Sequence, residues 1–197
     1  MQATIITNQQ GERFVLRQLT QHDVIELSHF FANLSDAILS RYAPHPMTAA
    51  YACDLCQNSS LPHPPYVVTE PSDNKIIGYM ILDGYSQNNY PEDASRYQNY
   101  PIKLTSKSRI FAPCIADNYQ NKGIASAAMP AVVQQAKTLG VDHIALMGGV
   151  QSSNAKAVRF YQKAGFVELG QFTTLDKNKQ PLDNLDMALT LAVRDSL

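Results

Sequence analysis

Two stretches of the sequence concentrate residue types that could do chemistry. The first is Ile115-Ala116-Asp117-Asn118-Tyr119-Gln120-Asn121-Lys122-Gly123-Ile124-Ala125. An apolar strand pattern ends here, a helical pattern begins, and Gly123 and Ala125 are small. The first N–H groups of a helix lack intrahelical partners and sit at the positive end of its dipole. Small residues let an anion approach them. A strand-to-helix turn of this kind reads as a pyrophosphate site. On this stretch alone a plain turn glycine is the simpler reading.

The second stretch is Asn154-Ala155-Lys156-Ala157-Val158-Arg159-Phe160-Tyr161-Gln162-Lys163-Ala164-Gly165-Phe166. Tyr161 is its chemical group. A phenol with an ordinary pKa near ~10 keeps its proton at neutral pH, as a general acid must. Aromatic packing on a short helix is the competing reading. Other reactive types carry less. Cys53-Asp54-Leu55-Cys56 with His45 and His63 could offer four zinc ligands, but the spacing fits no common zinc module and a second CxxC is absent, so no metal is expected. A redox role for the pair would need a thioredoxin-like context. Cys114 reads as a strand residue. Glu70 and Asp83 stand near strand ends, where solvated carboxylates are the plainer explanation.

These residues need elements to hold them. Residues 13–19 alternate as a strand. Thr20 or His22-Asp23 starts a helix carrying Val24, Ile25, Leu27, Phe30, Phe31 and Leu34. Five prolines between residues 41 and 65 bracket a short helix over about 48–57. Residues 66–70 and 76–82 form a hairpin around Pro71-Ser72-Asp73-Asn74. Residues 84–106 read as a long polar loop with Tyr85, Tyr90, Tyr97 and Tyr100. With Glu92 and Asp93 it could lid a cationic acceptor, or be an ordinary surface loop. Residues 109–116 are a central strand. Residues 121–139 are a helix closed by Gly140, with a kink expected at Pro130. Residues 142–150 are a strand, in which Gly148-Gly149 marks either close approach of a ligand or a bulge. Ser153 is expected to cap a helix that ends at Gly165. Residues 166–174 and 185–191 are strands around a turn at residues 176–179. Strand–helix–strand order in the second half implies parallel pairing there, and the early hairpin and final pair imply antiparallel edges.

In order, the two chemical stretches resemble the signatures of the GCN5-related N-acetyltransferases. Gln120-Asn121-Lys122-Gly123-Ile124-Ala125 matches the Q/R-x-x-G-x-G/A loop, and Asn154, Ala157, Tyr161 and Gly165-Phe166 match N-x-x-A-x-x-x-Y-x-x-x-GF. The interval leaves room for one helix and one strand. The resemblance implies an α/β fold: a mixed, centrally splayed sheet of about seven strands with helices on both faces, as one domain over residues 1–197. It implies transfer of an acetyl group from acetyl-CoA to an amine by direct attack in a ternary complex, in a gap between strands 109–116 and 142–150. Cys114, Ile115 and Ala116 would lie along the pantetheine arm, with a backbone N–H near Ile115 polarising the thioester. Amides of residues 121–126 would hold the pyrophosphate. Asn154, with Ala157 beside it, would contact the pantetheine or a water. Tyr161 would protonate the departing thiolate. Ala125 replaces the commoner glycine, and Asp117 stands where many members have proline. The strand has no acidic residue, so the general base stays open among Glu70, Asp83 and water. A coenzyme A-binding sensor or interaction module without catalysis is the alternative. Family members often dimerise, which leaves a homodimer open.

Bulk composition agrees with this. A chain of 197 residues suits one domain. With 16 basic and 17 acidic residues it lacks the excess of a general nucleic-acid binder. No apolar run reaches a membrane span, and the N-terminus has no signal-peptide pattern. Three cysteines are too few for a disulfide framework, so a reducing cytoplasm is expected.

Overall fold

The computed structural model describes residues 2–42, 44–58, 62–176 and 178–191. Its strands are β1 (Thr4–Thr7), β2 (Arg13–Gln18), β3 (Tyr66–Thr69), β4 (Ile76–Gly84), β5 (Arg109–Ile115), β6 (His143–Ala145), β7 (Val150–Gln151), β8 (Val167–Leu175) and β9 (Pro181–Thr190). Its helices are α1 (Val24–Ala32), α2 (Asp36–Leu39), α3 (Ala49–Gln57), α4 (Pro91–Tyr97), α5 (Ile124–Thr138) and α6 (Ala155–Lys163). The strands form a mixed, mostly antiparallel sheet in the order β1-β2-β3-β4-β5-β6-β9-β7, with β8 on β9. Nine described strands replace the seven expected, because β1 adds one and residues 142–150 split in two. The described residues fall into two compact units, one from residues 2–83 and 112–135, the other from 84–111 and 136–191.

In the first unit β1 to β4 pair antiparallel in sequence order. The hairpin of β3 and β4 stands as expected, with Tyr66 opposite Met80 and Asn74 at a φ of 59° in its turn. All seven apolar-run residues of β4 up to Leu82 are buried, as befits a strand with neighbours on each side. Beyond it Ala116 N–H donates to Ile77 O at 2.9 Å, which sets Gly78 against Ile115. A side chain at Gly78 would lie 2.8 Å from Ile115 Cδ1, so glycine is what lets these strands close. Leu27, Phe30 and Phe31 of α1 are buried, as are Ala52 and Cys56 of α3, while Ile25 faces outward. Thr48 Oγ1 accepts from Tyr51 N–H and starts α3 where the sequence put it. The 3-10 turn before α1 buries Asp23, which receives the Arg17 guanidinium at 2.7 and 2.8 Å.

In the second unit Arg109 and Ile110 pair in parallel with Ile144 and Ala145, which meets the expectation for this half. β9 is not at an edge: it pairs antiparallel with β6, β7 and β8. After Ala145 the backbone leaves the strand path, with φ of 73° and 67° at Gly148 and Gly149. A Cβ at Gly149 would sit 2.8 Å from Leu185 O and from the Phe172 ring, so packing against its own chain accounts for that glycine. The tyrosine-rich segment is not a plain loop, because it contains α4. Arg96 grips Asp186, which is fully buried, through Nε at 2.9 Å and lies 3.6 Å over the Phe172 ring. Tyr100 donates to Asp186 at 2.9 Å, and Tyr97 donates to Met187 O at 3.2 Å. Two of the four tyrosines assigned to a lid are thereby committed to packing. Among the described residues, no helix is long and apolar enough to cross a membrane.

Candidate functional site

The first unit carries the loop that the sequence marks as a cradle. β5 ends at Ile115, a 3-10 turn covers Asp117–Tyr119, and α5 begins at Ile124 rather than at Asn121. Asn121 and Gly123 adopt left-handed φ of 62° and 72°. Ala127 N–H donates to Gly123 O at 2.9 Å. The amides of Ile124, Ala125 and Ser126 thus precede the first intrahelical bond. A Cβ built at Gly123 meets no atom within 4 Å, so one side of the turn is open. Amides ahead of the first intrahelical bond, beside an open left-handed turn, are the kind of backbone arrangement that can bind an anion. Pro130 lies within α5, which runs through it as a single helix.

The neighbours of this loop fix its shape. Lys122 O accepts from Asn8 Nδ2 at 2.9 Å. Asp117 accepts from the Ser35 hydroxyl at 2.6 Å and from Ser35 N–H at 3.1 Å, so the aspartate in a common proline position ties the start of α2 to the turn after β5. Gln120 Nε2 donates to Ile115 O at 3.3 Å, and Lys122 Nζ lies 5.0 Å from the Tyr119 ring. Ala116 is half-buried. Cys114 is buried, and burial, with Asp117 adding to it, pushes its thiol up to about 12, far from a nucleophilic thiolate. Glu70 accepts from the Tyr119 hydroxyl at 2.7 Å, while Asp83 is exposed at the end of β4.

The second unit carries the other motif on α6. Asn154, not Ser153, is the cap: its Oδ1 accepts from Ala157 N–H at 3.3 Å. The motif spacing from Asn154 to Ala157 is thus the spacing of a helix N-cap to its third residue. Tyr161 is 8 % exposed, with ring centroids 4.9 Å from Phe160 and 5.3 Å from Phe166. Burial holds its phenol well above the ordinary range, so the neutral form is favoured. Gly165, at a φ of 91°, turns the chain out of α6 into β8.

The CxxC pair lies on α3, where burial, followed by nearby Asp23, pushes the Cys56 thiol up to about 11. His45 is engaged elsewhere: Nδ1 donates to Pro46 O at 3.0 Å, Nε2 meets the Tyr79 hydroxyl at 3.1 Å, and the ring stacks on Tyr51. Asn8 and Ser35 are the residues that the sequence did not flag. Asn8 precedes a Gln-Gln-Gly turn, which announces a turn but not a partner 114 positions away.

No curated protein matches the chain significantly. Among solved structures, the GNAT domain of S. lividans PAT superposes with a TM-score of 0.71 at 17% identity, covering 96% of this chain and 97% of that one. The ribosomal-protein-S5-alanine acetyltransferase of Vibrio fischeri gives 0.68 at 15%, covering 92% and 94%. The Salmonella typhimurium protein yncA, solved with its cofactor acetyl-CoA, gives 0.68 at 17%, covering 93% and 97%. At these identities the likeness speaks for the fold. A family model decides the rest: the acetyltransferase (GNAT) family matches residues 31–166, most of the chain and both chemical stretches, and the protein belongs to that family.

Proposed function

We propose that this protein is an acetyl-CoA-dependent N-acetyltransferase that passes the acetyl group to an amine by direct attack in a ternary complex. The observation that carries the reading is the open, left-handed turn at Gly123 against the unpaired first amides of α5. Its donors and its open side support a pyrophosphate there. Two neighbours add support: yncA was solved with acetyl-CoA, and the Vibrio protein is named for an alanine acceptor on a ribosomal protein. An amine acceptor, as a small molecule or on a peptide or protein, fits that class.

Bound acetyl-CoA supplies the thioester that an amine attacks. Amides of Asn121 to Ser126 hold the pyrophosphate, and the backbone of Cys114, Ile115 and Ala116 aligns the pantetheine arm. A backbone N–H near Ile115 stabilises charge on the thioester oxygen. Tyr161 keeps its proton at neutral pH, since burial disfavours phenolate, and gives it to sulfur as the C–S bond breaks. Asn154 Oδ1 caps α6 with one of its two lone pairs, and the carboxamide contacts the arm or a water. Glu70, Asp83 or water takes the amine proton, and Glu70 also accepts from the Tyr119 hydroxyl. Holding both substrates together supplies much of the rate.

The test pairs calorimetric titration of acetyl-CoA with thiol release over a panel of amines. Micromolar binding and amine-dependent release of coenzyme A are expected. Binding without release from any amine would favour a coenzyme A-binding module, and no binding would remove the reading.

A further inference from the structure

Asn8 is 6 % exposed and uses every hydrogen-bonding position of its carboxamide. Oδ1 accepts from Gln10 N–H at 3.1 Å and Glu12 N–H at 2.9 Å. Nδ2 donates to Glu12 Oε2 at 2.7 Å and to Lys122 O at 2.9 Å. Asn8 N–H donates to Glu12 O, and Asn8 O accepts from Gly11 N–H, so the β1–β2 turn is closed on itself. Three of the four side-chain bonds build that turn. The fourth leaves it and reaches the loop before α5.

That fourth bond has a directional consequence. A trans peptide is planar, and its C=O and N–H point in opposite directions. The peptide joining Lys122 to Gly123 is trans. With Lys122 O held toward Asn8, the Gly123 N–H is aimed the opposite way, and the left-handed φ of Gly123 then leads directly into the free amides of Ile124 to Ser126. Donors fixed before a ligand arrives cost no reorganisation on binding.

We propose that Asn8 is a positioning residue for the phosphate-binding loop: it orients the peptide of Lys122 and Gly123 so that the Gly123 amide joins the pyrophosphate cradle. The inference rests on the acetyl-CoA reading above and extends it to a side chain outside both sequence motifs. Alanine at this position removes the turn and loop bonds together. Asn8→Asp keeps the acceptor for the turn amides and loses the donor to Lys122 O. Paired with Glu12→Gln, whose new amide can donate to the introduced carboxylate, it deletes the loop bond while leaving the turn satisfied.

The experiment titrates wild type, Asn8→Ala and the Asn8→Asp/Glu12→Gln double variant with acetyl-CoA and, in parallel, with S-acetylpantetheine, which has no pyrophosphate. Thermal midpoints are recorded alongside. Acetyl-CoA affinity is expected to fall about tenfold or more in both variants, in line with the sensitivity of preorganised sites to small misplacements. S-acetylpantetheine affinity should stay within about twofold, and the double variant should melt near wild type. Unchanged acetyl-CoA affinity, or an equal loss for both ligands, would overturn the positioning role. Failure of wild type to bind acetyl-CoA would instead overturn the reading beneath it, and the inference with it.

Discussion

Gly123 and Gly140, near opposite ends of α5, make a matched pair for testing the cradle. Both adopt left-handed φ, 72° and 69°, and a Cβ at either would meet no atom within 4 Å. Alanine at each position therefore carries the same backbone cost and no clash. Left-handed alanine costs about 1–2 kcal/mol. The stiffer unfolded chain returns about 0.4–1 kcal/mol of that. A net loss near ~1 kcal/mol lowers the thermal midpoint of a chain this size by about 2–4 °C. Gly140→Ala should show that shift and bind acetyl-CoA as wild type does. Gly123→Ala should show a similar shift and bind more weakly, because its methyl enters the open side of the turn. Gly123→Asp adds a charge. At about 5 Å from a phosphate charge, with an effective dielectric of about 20–80, the repulsion is about 1–3 kcal/mol. That corresponds to about 5- to 150-fold in affinity. Calorimetry gives the affinities and scanning fluorimetry the midpoints. Wild-type affinity in Gly123→Asp, with its midpoint lowered as in Gly140→Ala, would refute the placement of the pyrophosphate.

Three further outcomes are expected. Tyr161→Phe should lower turnover about 100-fold while leaving the acetyl-CoA dissociation constant within about twofold, because only the hydroxyl is removed; unchanged turnover would take Tyr161 out of the mechanism. Asp23→Asn should destabilise the fold by about 3 kcal/mol by stranding the Arg17 charge, measured as a urea midpoint. Burial raises the Asp23 carboxyl, but hydrogen bonds from Arg17 and Thr20 outweigh it and hold it below the ordinary 3.8. Its contribution is thus present above that value and lost as pH falls through the folded pKa, so the difference between variant and wild type should shrink on acidification. Gly78→Ala should cost about 1–3 kcal/mol through overpacking against Ile115 Cδ1, and adding Ile115→Val should recover part of it; strict additivity of the two would disprove the contact.

What the sequence disclosed was local. The hairpin of β3 and β4, the start of α3 near Thr48 and the junction from β5 to α5 follow from patterns within about ten residues. What it hid depends on distant partners. Residues 84–106 read as loop because their tyrosines suggested a surface, yet Pro91, Glu92 and Asp93 carry the signs of a helix start: proline and acids in the first turn. The helix is held by Arg96 on Asp186, 90 positions away. Residues 142–150 read as one strand, but the chain turns at Gly148 and Gly149, where a side chain on Gly149 would meet Leu185 and Phe172. Ser153 looked like the cap of α6; Asn154 takes the position, one residue nearer the motif. Gly123 and Tyr161 were legible as candidates for the proposed site, by type and spacing. Asn8, Ser35 and the bond between Glu70 and Tyr119 were not, since nothing local announces them.

The position of β9 has a consequence for synthesis. It follows β6, β7 and β8 in the chain and is hydrogen-bonded to all three. A nascent chain that has emerged as far as residue 180 has made these strands but not the one that joins them. At about 5–20 residues per second the ten residues of β9 take about 0.5–2 s to appear. Until β9 pairs, β7 and β8 lack the strand they are hydrogen-bonded to, which leaves edges open to chaperones and to aggregation. The second unit is therefore assembled from its far end, and a stop codon just before residue 181 would leave three finished strands without the one that binds them together.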